Sequence, residues 1–268
     1  DHFGAIAVVG PRQVGKTTML RHLAQLEARS GAPERSYVTL DDGDERRLAR
    51  EDPKLFLQVH RPPVLIDEAQ YAPELFPYLK SHIDGTPDPG TVWLTGSQPL
   101  HLRKAFRESL AGRIAIIDML GFSQAELAGT PTVPFACDSG YFLSRATSHD
   151  AVPANELYRR IWKGSLPRIC LGEDRFWQQS YSSYVDTYLM RDIMEGRTVH
   201  DEGKFRRFMG ACAAMTGQPL NYSLLAETAD IDVKTASAWF SLLESSYVVR
   251  RVEAFSSNLI SRLTKSPA

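Results

Sequence analysis

Residues 10–17 of the 268-residue chain read Gly-Pro-Arg-Gln-Val-Gly-Lys-Thr, which fits the pattern G-x-x-x-x-G-K-[ST] at every position. A β-rich run, Ala5 to Val9, precedes this segment, and a helical stretch is predicted after it. A glycine-rich loop in that context can turn consecutive backbone N–H groups toward a phosphate, and the helix N-terminus adds partial positive charge. The segment therefore predicts a phosphate-binding loop and a nucleotide ligand.

Each residue type in this loop has a physical task. Glycines allow the tight turn, Lys16 can reach the β- and γ-phosphates, and the Thr17 hydroxyl can ligate Mg²⁺, a cation that prefers oxygen ligands. The predicted nucleotide-binding residues are Gly10, Pro11, Arg12, Gln13, Val14, Gly15, Lys16, Thr17 and Thr18.

Five β-rich runs alternate with helical stretches over residues 1–130, which is typical of a parallel sheet flanked by helices. The runs are Ala5 to Val9, Tyr37 to Leu40, Val64 to Asp67, Thr91 to Leu94 and Ile114 to Met119. A Pro- and Thr-rich stretch, residues 130–134, then interrupts the pattern. We therefore expect an α/β P-loop ATPase core over residues 1–130, a helical lid over 131–200 and a winged-helix-like unit over 201–268.

The run Val64 to Asp67 ends in two carboxylates, Asp67 and Glu68, at the sheet edge where the phosphate loop should lie. This fits a Walker B element, in which Asp67 holds Mg²⁺ through water and Glu68 orients or deprotonates the attacking water. The alternative is a capping Asp-Glu pair, and the phosphate-loop motif makes it less attractive.

Small hydroxyl residues, Thr95 and Ser97, follow the fourth run. They could sense a γ-phosphate by hydrogen bonding, or they could be ordinary caps of the following helix. The sequence leaves both roles open for Ser97 and favours the cap for Thr95.

Arg113 precedes the fifth run, directly after a predicted helix terminator, Gly112. An arginine there could stabilise charge on a transferring phosphoryl group in its own or a neighbouring subunit. The alternative is a structural ion pair, for instance with Asp118 or Glu126.

The composition excludes several classes of protein. The chain has 31 Lys or Arg and 32 Asp or Glu, so no overall basic field attracts nucleic acid or an anionic membrane. No apolar run reaches the roughly 18 residues that span a bilayer. Three distant cysteines argue against a disulfide framework and favour a reducing cytoplasm. The first ten residues resemble a core strand, so we expect the chain to begin inside a longer protein.

The last unit has a helix-turn-helix outline. Asn221 can cap one helix, Asp232 can cap a second from Val233 to Glu244, and a strand is predicted from Tyr247 to Val252. From residue 197 onward there are nine Lys or Arg and seven Asp or Glu, which is too little positive charge for strong DNA binding. A packing role or a protein partner is favoured over DNA.

Several motifs together resemble one AAA+-type family of prokaryotic ATPases, related to the archaeal ATPases and STAND proteins, with a C-terminal domain of unknown function. They are GPRQVGKTT at 10–18, IDEAQ at 66–70, LTGSQ at 94–98 and SLAGR at 109–113. Segments of the second half, such as residues 204–208, 216–218 and 220–222, are also similar to that family.

The resemblance implies an AAA+ sheet, a helical lid and a winged helix, followed in complete members by a nuclease-like fold that we expect this sequence to lack. It also implies that Arg113 acts across a subunit interface, which would make the protein a homo-oligomer. The segment Lys163 to Pro167 resembles the G-x-P element of related lids, in which the proline lies against the nucleotide, but it has one extra residue between Gly164 and Pro167. The resemblance is therefore carried over only to Pro167 and its neighbour Arg168.

The favoured function is slow Mg²⁺-dependent ATP hydrolysis that moves the lid against the core. ATP is preferred over GTP because no N-K-x-D element is present to bind guanine. The alternatives are a nucleotide-gated switch with little turnover and a DNA-binding regulator.

Overall fold

The structure is a computed structural model. It describes residues 2–86, 88–97, 99–130, 134–147, 152–172, 176–189, 193 and 199–253.

Within the described residues, five strands form one parallel sheet in the order β2-β3-β4-β1-β5. This confirms the predicted sheet, and each strand lies within two residues of its expected bounds. The strands are β1 (Ala5–Val9), β2 (Ser36–Thr39), β3 (Val64–Asp67), β4 (Val92–Gly96) and β5 (Ile114–Asp118). Because β4 lies between β1 and β3, the carboxyl ends of all three strands meet at one edge of the sheet.

Helices pack on both faces of this sheet, as strands that are apolar on both sides require. Alternate residues of β1 enter different clusters: Ala5, Ala7 and Val9 face one side, and Val8 faces the other with Leu20. The helices of this part are α1 (Lys16–Arg29), α2 (Gly43–Glu51), α3 (Pro53–Val59), α4 (Phe76–Gly85) and α5 (Pro99–Ser109).

Local capping explains where two of these helices begin. The Asp52 carboxylate accepts a hydrogen bond from the Leu55 N–H, and Pro53 occupies the first helical position. The Asp42 carboxylate likewise accepts from the N–H groups of Asp44 and Glu45 and begins α2, a helix that the sequence analysis did not predict.

The middle of the chain is helical. It contains α6 (Gln124–Leu127), α7 (Ser139–Thr147), α8 (Ala154–Lys163), α9 (Pro167–Leu171), α10 (Trp177–Tyr184) and a π-helical turn, Val185–Leu189. The Phe122 N–H donates to the Ser165 carbonyl at 2.8 Å, which ties this helical part to the segment that follows β5. Residues 131–133, where the first boundary was predicted, lie outside the described residues, so that boundary stays a prediction.

The last described part is a bundle of three helices, α11 (Glu202–Ala214), α12 (Tyr222–Ala229) and α13 (Val233–Ser245). Asn221 and Asp232 cap α12 and α13 as predicted. The rings of Phe205 and Phe208 lie edge-on to Trp239, with centroids 5.1 and 5.6 Å apart, and form the centre of the bundle.

The strand predicted from Tyr247 to Val252 is wrong, since the described residues 247–252 form no strand. Tyr247 has a left-handed backbone with φ of 59°. The Val248 N–H donates to the Leu243 carbonyl at 2.9 Å, and the Tyr247 N–H donates to Glu244. These hydrogen bonds satisfy the last carbonyl groups of α13, so the segment that follows the helix terminates it. Val249 packs against the apolar core of the bundle.

In the part of the chain that the structure describes, no helix is long and apolar enough to cross a membrane.

Candidate nucleotide-binding site

The loop between β1 and α1 can form only with glycine at two positions. A Cβ at Gly10 would lie 2.0 Å from the Met119 carbonyl oxygen, far inside van der Waals contact. Gly15 caps α1 with φ of 93°, a left-handed conformation that other residues rarely adopt. The loop therefore takes the strand-to-helix turn that the sequence predicted.

Lys16 begins α1 and folds back over this loop. Its Nζ donates to the carbonyl oxygens of Gly10 at 3.0 Å and Pro11 at 2.7 Å. Burial lowers the pKa of Lys16 from 10.5 to about 8, while the charges of Glu68 and Asp67 act in the opposite direction. The ammonium group is thus desolvated and faces the two carboxylates.

Asp67, at the end of β3, meets the loop through Thr17. The Thr17 hydroxyl donates to Asp67 Oδ1 at 2.7 Å, and the buried Thr95 hydroxyl donates to the same oxygen. The Tyr37 hydroxyl donates to Oδ2 at 3.3 Å. Three hydroxyls therefore orient this buried carboxylate beside Thr17.

Glu68 is held at both its backbone and its side chain. Its φ of 55° is left-handed, and its N–H donates to Thr95 Oγ1 at 3.2 Å. Its Oε2 accepts from the Ser97 hydroxyl at 3.0 Å and from Gln70 Nε2. Thr95, at the end of β4, therefore fixes both carboxylate residues of the Walker B element.

A cavity of about 260 Å³ lies between the loop and Glu68. Its lining residues are Arg12, Gln13, Gly15, Lys16, Thr17, Thr18 and Glu68. Of the other predicted nucleotide-binding residues, Pro11 contributes the carbonyl that binds Lys16, and Val14 is buried in the protein. The structure thus brings most of the predicted loop and Glu68 to one cavity.

Arg113 lies at the opposite end of the sheet. Its carbonyl accepts from the N–H of Ala5, at the start of β1, whereas the phosphate loop follows the end of that strand. Five strand residues at about 3.3 Å each separate the two ends. The expectation that Arg113 could act in its own subunit is therefore wrong.

The guanidinium of Arg113 forms an ion pair, but not with Asp118 or Glu126 as expected. Its Nη2 donates to Asp84 Oδ2 at 3.0 Å, and this bond lowers the pKa of the Asp84 carboxyl. Both side chains are partly exposed.

Pro167 occupies the first turn of α9. It is not among the residues that line the cavity beside the loop and Glu68. Pro167 lies two residues after Ser165, whose carbonyl oxygen accepts a hydrogen bond from the N–H of Phe122, in the segment after β5. The predicted contact of Pro167 with nucleotide stays a prediction.

Sequence reasoning gave no role to Gln70 and Tyr37. Gln70 lies inside the IDEAQ segment, but a glutamine in a short turn carries no pattern that indicates a partner. Tyr37 looks like an ordinary strand residue, and only the pairing of β2 with β3 brings it near Asp67.

Two family models match separate parts of the chain. Residues 2–128 match an AAA domain, and residues 154–268 match a domain of unknown function (DUF8612). Two curated relatives, uncharacterized proteins Mb2031c of Mycobacterium bovis and Rv2008c of Mycobacterium tuberculosis, are each 27% identical over 98% of this chain. The chain spans about half of their length, 52% in each case.

The solved structure of Drosophila ORC bound to DNA is similar to 97% of this chain, and the match covers 85% of that structure's chain. The TM-score is 0.31 and the sequence identity 13%. The AAA-domain match covers residues 2–128, and the loop described above gives that part the geometry of a nucleotide-binding P-loop domain.

Proposed function

We propose that this chain binds ATP with Mg²⁺ and hydrolyses it slowly, and that this reaction moves the helical lid and the C-terminal helical bundle, which was predicted as a winged-helix-like unit, relative to the core. The observation that carries the proposal is the placement of Glu68. Its carboxylate lines the same cavity as Lys16 and Thr17, next to an aspartate bonded to Thr17.

The loop and Lys16 would bind the phosphates. Phosphate oxygens would replace the carbonyl oxygens of Gly10 and Pro11 as acceptors for the Lys16 ammonium. The backbone N–H groups at the start of α1 add further donors, and the helix dipole favours negative charge there.

The oxygen donors of the site fit Mg²⁺. Among the described residues no cluster of three or more His, Cys, Asp or Glu side chains could hold a metal alone. The Thr17 hydroxyl oxygen and Asp67 Oδ1 are 2.7 Å apart. Two such oxygens suit a cation that is also bound by phosphate oxygens and keeps several of its water ligands. When bound, Mg²⁺ would neutralise charge on the β- and γ-phosphate oxygens.

Glu68 would orient the attacking water and accept its proton. Ser97 donates to Glu68, which favours a role through that carboxylate over direct sensing of the γ-phosphate. Arg113 would act on the nucleotide of a neighbouring subunit, for which it would have to exchange Asp84 for phosphate.

The direct test is phosphate release by the wild type and by Glu68→Gln. Replacing the base should reduce turnover by roughly 10²- to 10⁴-fold and leave ATP binding intact, because the amide cannot accept the proton. Glu74→Gln, at an exposed position six residues away, is the matched control and should hydrolyse like the wild type. If the wild type binds ATP but neither it nor the control releases phosphate, the enzyme proposal fails.

A nucleotide-gated switch with little turnover is the second candidate, and contacts at the end of β5 favour it. The carbonyl of Met119 packs against Gly10 of the loop, and the Met119 N–H donates to Val9 at 2.8 Å. The preceding residue, Asp118, accepts a hydrogen bond from Tyr247 of the helical bundle. A movement of the loop would therefore be transmitted to the bundle through the adjacent residues Met119 and Asp118.

Limited proteolysis tests this candidate. Different cleavage patterns with ADP and with a nonhydrolysable ATP analogue would support the switch, and identical patterns would exclude it. Binding to DNA remains disfavoured because Lys204 pairs with Asp230, and Arg206 pairs with Asp186 and Glu202.

A further inference from the structure

We propose that Gln70 is a positioning residue for the proposed ATPase reaction: it clamps the Glu68 carboxylate, together with Ser97, in the orientation that faces the phosphate cavity. The inference rests on the proposed function, because it assigns Gln70 to the hydrolytic step that Glu68 would catalyse.

The short 3₁₀ turn Ala69–Tyr71 places Gln70 beside Glu68. Ala69 is buried, and the Tyr71 N–H donates to the Glu68 carbonyl at 3.1 Å, so the turn is fixed against the core. From this turn, Gln70 Nε2 donates to Glu68 Oε2 and lies 3.5 Å from the Ser97 hydroxyl.

The two donors bind the same carboxylate oxygen. Ser97 donates to Oε2 at 3.0 Å, and Gln70 donates to Oε2 as well. Both neighbours therefore anchor the Glu68 carboxylate through one oxygen, Oε2.

An amide suits this task better than a cation. It donates a hydrogen bond without adding a positive charge, so it orients the carboxylate and leaves its negative charge in place. A lysine or arginine at the same distance would form an ion pair and hold the carboxylate too strongly in its charged form to accept a proton easily.

Stability alone does not account for the position of Gln70. Its Oε1 is buried and has no hydrogen-bond partner among the described residues, which costs free energy. A Cβ at Gly96 would lie 2.0 Å from Leu102 Cδ1 and 2.5 Å from Gln70 Oε1, so the glycine leaves room for both side chains. Gln70 therefore has a buried amide oxygen without a described partner, and its amide nitrogen bonds to a glutamate whose backbone is left-handed. Such locally unfavourable arrangements are found at functional sites.

The experiment compares three variants with the wild type. Gln70→Glu keeps the shape but replaces the donor with a like charge, Gln70→Leu removes the donor, and Gln25→Glu makes the charge change at an exposed position on α1. The readouts are kcat, KM for MgATP, and the affinities for ADP and for ADP with aluminium fluoride, a mimic of the transferring phosphoryl group.

Loss of positioning should reduce kcat by about 10- to 100-fold in Gln70→Leu and by more in Gln70→Glu, within the range of general-base effects. KM and ADP affinity should stay within about twofold of the wild type, while affinity for ADP with aluminium fluoride falls in parallel with kcat. Gln25→Glu should behave as the wild type.

Three outcomes would overturn the inference. The first is wild-type kcat in both Gln70 variants, and the second is an ADP affinity that falls as far as kcat. The third is that both variants, including the isosteric Gln70→Glu, fail to bind ADP or fail to fold. If the wild type binds ADP but does not turn over ATP, the proposed function itself is refuted. That outcome is distinguishable from a failure of the Gln70 inference alone, in which the wild type is active.

Discussion

Two regions of the molecule bury very different side chains. In the described residues, the buried polar or charged side chains all lie at the carboxyl edge of the sheet, and they are Lys16, Asp67, Thr95 and Ser97. The helical bundle buries an apolar cluster instead, which includes Cys212 and Trp239. Because burying a polar group costs free energy unless it is bonded, polar groups concentrated at one edge mark a site, whereas the bundle core serves packing.

Backbone strain divides the two regions in the same way. Asp230 and Tyr247 are left-handed in the bundle, and each terminates a helix, where that conformation satisfies carbonyl groups. Gln13 and Glu68 are left-handed in the loops that follow β1 and β3, and neither terminates a helix, although Glu68 precedes the 3₁₀ turn Ala69–Tyr71. A left-handed residue that does not terminate a helix is thus the more informative one for function.

The largest expected effect is in the bundle. Phe208→Ala should lower the stability of this region by about 3–5 kcal/mol, because it removes a fully buried ring that packs against Phe205 and Trp239. Hydrogen exchange over residues 202–245, read by mass spectrometry, should accelerate, while exchange in β1, β3 and β4 should stay unchanged. Equal acceleration in the sheet would mean that the two regions fold as one unit.

A pair of glycines sharpens the contrast. Gly10→Ala should weaken ATP binding at least about tenfold, since its Cβ would meet the Met119 carbonyl at 2.0 Å. Gly210→Ala lies within α11 with no atom within 4 Å of the new Cβ, and it should stabilise the bundle by about 0.5–1 kcal/mol. Calorimetry and thermal melting measure the two effects. Unchanged ATP affinity in Gly10→Ala would contradict the described loop.

The smallest effect concerns cysteine reactivity. Burial raises the pKa of the Cys212 thiol to about 11, so at pH 8 it stays protonated, whereas Cys137 is exposed. A maleimide should label Cys137 first and reach Cys212 only when the bundle opens, with the labelled positions identified by peptide mapping. Rapid labelling of Cys212 in the folded protein would show that the bundle core is open to solvent.

Local patterns predicted much of this structure. The phosphate loop, the Walker B carboxylates and the five strands follow from glycine spacing and short apolar runs, which are properties of neighbouring residues. The strand at Tyr247 to Val252 was wrong because β-branched composition does not reveal that these residues satisfy the last carbonyls of α13. Tertiary context overrides local propensity there.

Other features depend on which elements become neighbours. Tyr37 reaches Asp67 only because β2 pairs with β3, and Ser97 meets Gln70 only because β4 lies beside the turn after β3. The placement of Arg113 could have been deduced, since a residue that precedes a parallel strand lies at the opposite edge from a loop that follows one.

Calorimetric titration of MgATP into the wild type and into Lys16→Ala decides whether the loop binds a triphosphate. We expect saturable binding to the wild type and at least about tenfold weaker binding to Lys16→Ala, because the buried ammonium would bind the phosphates. Absence of heat with the wild type, or equal affinity in the variant, would contradict this expectation.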